Sequence, residues 1–225
     1  LSIADNDLRL HCYDHSGAIF SSAFNIHREP FKLIRVITSL AFADRYRLGF
    51  DPTIHISFPA DTQGASNSTL AGLAQDDIGP NAKPKGPIGR VIGSTASAIY
   101  NIVSKIWSSD AFIGRGTVVY HVKSTDGKAY VLKDCWVNKK DVEHESMILE
   151  KAKGIPGVPK LVDAWNVTFN GEVDCTSRIR HGLGKVLPKS FITRVHRRLL
   201  MTPLGLPITT FRSQRELLSC FRDIV

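Results

Sequence analysis

Apolar residues along the chain fall into short runs of two different periods, separated by clusters of turn-forming residues. Leu8-Arg9-Leu10-His11-Cys12-Tyr13 and Ala18-Ile19-Phe20-Ser21-Ser22-Ala23-Phe24 flank Asp14-His15-Ser16-Gly17, which predicts a β-hairpin. A helix is expected from Glu29 to Phe42, with Pro30 in its first turn, where a missing N–H breaks no bond. Leu33 to Ala43, interrupted by Arg35, reads as the apolar face of that helix and is too short to span a bilayer. Residues 58–90 are rich in Gly, Pro, Ser, Asn and Ala and read as a linker.

Beyond the linker the pattern turns strand-like. Ala98 to Trp107, Val118 to Val122 and Ala129 to Leu132 are β-rich runs, and Thr125-Asp126-Gly127-Lys128 joins the last two. Asp-Gly between such runs signals a hairpin, because its turn requires positive φ. A helix is expected from Lys140 to Lys153, capped by Gly154 and stopped by Pro156. Strands are expected at Val158 to Trp165 and Arg198 to Met201, and a helix at Gln214 to Val225. No internal repeat is visible. The expected organisation is an α+β unit over 1–57, a linker over 58–90 and a second unit over 91–225.

Composition changes this picture little. The chain has 225 residues, 43% hydrophobic and 22% charged, which is ordinary for a globular protein. Cys12, Cys135, Cys175 and Cys220 lie too far apart for a metal motif and are too few for a disulfide scaffold, so an intracellular location, in cytoplasm or nucleus, is expected. No membrane partner is expected. The net charge of +8 is spread widely and is densest from Arg178 to Arg198, which reads as a solvated loop. With no aromatic interleaving there, a basic nucleic-acid-binding protein is only a further alternative.

Chemistry concentrates in the second unit. In Ile113-Gly114-Arg115-Gly116-Thr117 two glycines on a hairpin would let backbone amides approach phosphates, although a plain tight turn uses the same residues. Tyr130-Val131-Leu132-Lys133 then ends a hydrophobic strand on a lysine, placed like the strand lysine that contacts nucleotide phosphates in protein kinases. An edge lysine in solvent is the bland alternative. On the following helix Glu145, Leu149 and Ala152 share a stripe with Ile148 beside them, whereas Glu143 lies nearer the polar side. A carboxylate on an apolar stripe needs a partner, and Lys133 is the expected one, as the strand lysine of protein kinases pairs with a glutamate on the following helix. Leu199-Leu200-Met201-Thr202-Pro203-Leu204-Gly205 carries an apolar strand into a Pro/Gly connector, as at a hinge between lobes. Trp136 is expected to pack between strand and helix and not to touch ligand.

Gly114-Arg115-Gly116-Thr117, Val131-Leu132-Lys133-Asp134-Cys135-Trp136, His144-Glu145 and Met201-Thr202-Pro203-Leu204-Gly205 together resemble the fungal-type protein kinases expanded in mushroom-forming fungi. Tyr13-Asp14-His15-Ser16-Gly17, Leu48-Gly49-Phe50-Asp51-Pro52-Thr53-Ile54 and Arg215-Glu216-Leu217-Leu218 extend the resemblance over nearly the whole chain. It implies a kinase small lobe, an antiparallel sheet with one key helix, behind a small α+β unit. It also implies ATP and Mg2+ as cofactors and a protein Ser or Thr as phosphoryl acceptor. The ATP-binding residues it implies are Gly114, Arg115, Gly116, Thr117, Val119, Lys133, Glu145, Met201 and Leu204.

Two departures qualify the likeness. The glycine loop lacks the third glycine and is two residues shorter than in most kinases, so fewer amides would cover phosphates. The sequence also holds no His-Arg-Asp catalytic loop and no Asp-Phe-Gly, and Phe221-Arg222-Asp223 sits in a helical run instead. With Leu1 and Val225 read as cut ends, the catalytic base, the magnesium ligands and the large lobe are expected beyond Val225. The 225-residue chain is then expected to be inactive, to bind ATP weakly, and to expose apolar residues near Val119, Leu132 and Met201. A non-catalytic kinase-like module binding nucleotide or a partner, and a small-molecule phosphotransferase of the same fold, are the remaining alternatives.

Overall fold

A computed structural model describes residues 1–56, 89–95, 98–183 and 187–222. The N-terminal part holds β1 (Ser2–Ala4), β2 (Asp7–Arg9), β3 (His11–Asp14), β4 (Gly17–Phe20), β5 (Phe24–Asn25), α1 (Pro30–Ala41) and β6 (Ile54–Ile56). β7 (Gly89–Ile92), β8 (Ile99–Ser108), β9 (Val118–Ser124), β10 (Ala129–Asn138), α2 (His144–Lys151) and β11 (Lys160–Asn166) follow. β12 (Thr168–Phe169), β13 (Glu172–Val173), α3 (Thr176–Ile179), β14 (Arg194–Thr202) and α4 (Gln214–Arg222) complete it. The fold is α+β with antiparallel pairing. Among the described residues no helix is long and apolar enough to cross a membrane.

One sheet dominates, in the order β11-β14-β10-β9-β8-β7-β6. The span expected to be a linker lies outside the described residues as far as 88, and Gly89 and Arg90 already belong to β7. The 1–56 segment is tied into this sheet, since Ile54 of β6 pairs with Val91 of β7. The expected first hairpin forms between β3 and β4, with His15 and Ser16 as its two-residue turn. β2 pairs instead with β1 and β5. The Asp126-Gly127 turn joins β9 to β10 as expected, with Gly127 at φ +83°.

The strand period of two divides the core between the two faces of the sheet. On one face Val91, Ile102, Val122, Leu132, Trp165 and Leu200 form a buried cluster. On the other, Cys135, Val137 and Leu199 meet Leu149 of α2 and Leu161 of β11. Leu132 is therefore fully buried, contrary to its expected place in an exposed apolar patch. Ile148 of α2 points outward. The helix expected over 140–153 divides, because the Asn138 side chain accepts the Lys140 N–H and the Lys139 N–H donates to the Thr193 carbonyl. Lys139–Asp141 is thus a separate 3-10 turn, and α2 starts at His144. α1 carries its apolar stripe largely exposed, with Phe31 84% accessible. Asp223 of the Phe221-Arg222-Asp223 run lies outside the described residues, as do the last two residues of the expected C-terminal helix; Phe221 and Arg222 are on α4.

In the basic stretch from Arg178 to Arg198, of which residues 184–186 lie outside the described residues, three arginines are not solvated. Arg180, Arg197 and Arg198 are buried, each against a carboxylate from another element. Arg180 forms a two-pronged pair with Asp14, at 2.6 and 2.8 Å. Arg197 pairs with Glu143 ahead of α2. Arg198, with no measurable exposure, bridges Asp134 of β10 at 2.8 Å and Asp51 of the N-terminal part, and donates to the Thr53 hydroxyl at 2.7 Å. These cations close the sheet against its surroundings and are not presented to a polyanion.

Candidate functional site

β9, β10 and β14 lie side by side, and residues directly opposite each other share a face. Lys133 stands opposite Val119 of β9 and Leu199 of β14, and Val131 stands opposite Met201. Val119, Val131, Lys133 and Met201 therefore lie on one face, the face that α2 covers further along. Leu204 follows in the connector after β14 and is half-buried.

On this face Lys133 Nζ pairs with Glu145 Oε1, and Arg115 Nη2 reaches Glu145 Oε2 at 2.8 Å. Glu145 thus holds two cations, one from the strand and one from the glycine loop. Glu143, two residues earlier, is turned away to Arg197 and Ser146. Burial pushes the Glu145 carboxyl up, but Lys133 and Arg115 outweigh it and hold it below the ordinary 4.5. Two cations and one carboxylate leave a net positive charge, and the Arg115 side chain is half exposed.

The loop that carries Arg115 is short, and its path follows from that. β9 reaches only to Val118, opposite Asp134, so the rest of the β10 edge is uncovered by β9. The loop lies along that edge, with the Trp136 N–H donating to the Arg115 carbonyl at 2.7 Å. The Ser109 N–H closes the loop onto the Thr117 carbonyl at 2.8 Å, and Thr117 is buried. Gly114 and Gly116 take φ +113° and +47°, which suit glycine. The Gly114 N–H is bonded to the His15 carbonyl at 2.9 Å. A Cβ on Gly116 would lie 2.1 Å from His15 Cε1. One amide and one glycine of the loop are therefore committed to the N-terminal hairpin.

Trp136 does not pack between strand and helix. Three positions after Lys133, it faces the other side of the sheet, where its indole is stacked between His15 (4.8 Å) and His196 (4.7 Å). Beneath it runs a charge chain that sequence reasoning missed. The His196 ring nitrogens face Asp134 and Asp174, and Asp134 also takes Arg198. The only visible signal was a run of charges, His196-Arg197-Arg198, passing without a turn into Leu199-Leu200.

With a carboxylate at each nitrogen, His196 is an imidazolium. Burial lowers its pKa, but Asp134 and Asp174 raise it further, from 6.5 to about 9. A raised folded pKa stabilises fully below the unfolded value and loses that stabilisation as pH rises through the folded one. Thermal stability is accordingly expected to fall steadily between pH 6.5 and 9. His15 works oppositely: burial, then the charge of His196, lowers its pKa below 6.5, so its contribution falls away in acid. Melting curves across pH 5–9 check this, and His196→Gln should flatten the alkaline slope.

Among the described residues, Asp51, Asp134 and His196 bring ligand atoms close enough together to consider a metal ion. They do not fit the magnesium of a nucleotide site. Arg198 and the imidazolium already neutralise them, and they lie on the sheet face opposite Lys133.

A sheet with this strand lysine, helix glutamate and glycine loop is the arrangement expected of a kinase-type fold, and a family model described as fungal protein kinase matches residues 1–225. The chain belongs to that family. No curated protein sequence matches the chain. The match takes in the hairpin and β6 as well as the sheet, since it begins at residue 1.

Proposed function

We propose that this chain supplies the ATP-holding sheet of a protein kinase that transfers the γ-phosphoryl group of ATP to a protein Ser or Thr. The observation that carries the reading is the Lys133–Glu145–Arg115 cluster, placed on the same sheet face as Val119, Val131 and Met201. An adenine would lie against the apolar residues, with Leu204 along its edge. Phosphates would meet Lys133 and Arg115, held in place by Glu145. Gly116 and Thr117 would set the path of the loop above them. Positioning and charge are what phosphoryl transfer asks of such residues.

ATP supplies the phosphoryl group, and a base has to take the proton from the acceptor hydroxyl. We assign that base, and the carboxylates for magnesium, to sequence outside these 225 residues. In domain terms, 1–56 is a supporting α+β unit whose β6 joins the main sheet, and 89–222 is a kinase small lobe with its hinge and the start of a large lobe. A second reading, a kinase-like module that holds nucleotide without transferring phosphate, draws support from the short loop and the committed Gly114 amide.

The test is phosphate incorporation from magnesium-ATP into a generic basic protein. The 225-residue chain is expected to give background only. A longer polypeptide supplying a catalytic-loop aspartate is expected to label Ser or Thr. Turnover by the 225-residue chain would contradict the assignment of the base, and nucleotide binding without transfer in the longer polypeptide would favour the second reading.

A further inference from the structure

Gly116 is explained less by a ligand than by the N-terminal hairpin. We propose that His15, at the tip of the β3–β4 hairpin, is a positioning residue that braces the glycine loop from the sheet face opposite Lys133.

Three observations carry the proposal. The His15 carbonyl accepts the Gly114 N–H at 2.9 Å, and its ring rests where a Gly116 side chain would be. That ring stacks on Trp136, whose own N–H holds the Arg115 carbonyl at 2.7 Å. The loop backbone is thus gripped at two successive residues by two stacked partners. The hairpin tip is itself anchored. Asp14 is bonded twice to buried Arg180 and accepts the Ser16 N–H at 2.7 Å. Ser16 Oγ lies 2.7 Å from the Thr176 hydroxyl and 2.6 Å from the Ile192 carbonyl.

The brace lies behind the loop and leaves the Lys133 face open. A short loop with few free amides gains little from flexibility, because each misplacement of Arg115 weakens the charge it brings to Glu145 and to a phosphate.

The consequence for nucleotide rests on the function proposed above, so the experiment reads the brace separately. Amide hydrogen exchange of residues 112–117 and affinity for ATP are measured in the wild-type chain, His15→Ala, Gly116→Ala and the double variant, at a temperature where circular dichroism shows all four folded. Each single change is expected to speed loop exchange about tenfold, with α2 unaffected. Each is expected to weaken ATP about tenfold. The double variant should fall well short of the sum of the single changes, because the clash of the added Cβ disappears with the ring while only the strain of alanine at positive φ remains. Unchanged loop exchange in His15→Ala, or additive effects in the double variant, would overturn the brace. Faster exchange with unchanged ATP affinity would overturn the positioning role. Absence of ATP binding in the wild type beside an exchange effect would strike the proposed function and leave the brace standing.

Discussion

Arg198→Met is expected to destabilise the chain by about 3–5 kcal/mol, the scale of breaking a buried ion pair by removing one partner. Among the described residues Arg198 is the cation that bridges Asp134 and Asp51, in the hydrogen-bonded chain that runs on through His196 to Asp174. Methionine fills the slot with an unbranched apolar chain, so little of the loss comes from a cavity. The cost comes from Asp51 losing its ion-pair partner and from Asp134 keeping only His196. Asp134 shows how strongly the carboxyl depends on them: burial drives its pKa up, yet His196 and Arg198 together hold it far below the ordinary 3.8. Urea unfolding at pH 7 measures the loss. Adding Asp51→Asn to Arg198→Met should recover part of it, since an amide is cheaper to leave without a counter-charge. A loss below about 1 kcal/mol, typical of an exposed pair, would contradict this reading.

How much of this was legible beforehand depends on the kind of interaction. The β3–β4 hairpin, the Asp126-Gly127 turn and α1 follow from local period and turn chemistry, the pairing of Glu145 with Lys133 from the likeness to protein kinases, and the structure has them. β14 was read as Arg198 to Met201 because three charges precede its apolar run, yet it begins at Arg194. Those charges are tolerated in a central strand because carboxylates from residues 51, 134, 143 and 174 reach them. Such partners are up to 147 residues away in sequence, and no period reports them. Trp136 was misplaced for the same reason: its neighbours are His15 and His196 and not the helix that follows it. In the candidate site, the role of Gly116 was assigned to phosphate approach, whereas a distant histidine ring already requires that glycine.

Lys133→Met is expected to remove most of whatever affinity the chain has for ATP. Lys133 is a partly buried cation with one carboxylate partner, and its ammonium faces the side of the sheet that Val119, Val131 and Met201 line. A hydrogen bond to a charged group contributes about 1.5–3 kcal/mol, which corresponds to a loss of roughly ten- to a hundredfold. The loss is reinforced because Glu145, left with Arg115 only, becomes a less compensated negative charge beside the phosphates. Methionine keeps the apolar stem, so the fold should persist. Lys105→Met is the matched control, since Lys105 pairs with Tyr120 and lies on the opposite face. The direct measurement is titration of ATP with the chain, followed through the phosphorus resonances of the nucleotide, for wild type, Lys133→Met and Lys105→Met. Weak binding in the wild type and in Lys105→Met that is lost in Lys133→Met is the expected result. Equal binding in all three would contradict a phosphate site on the Lys133 face.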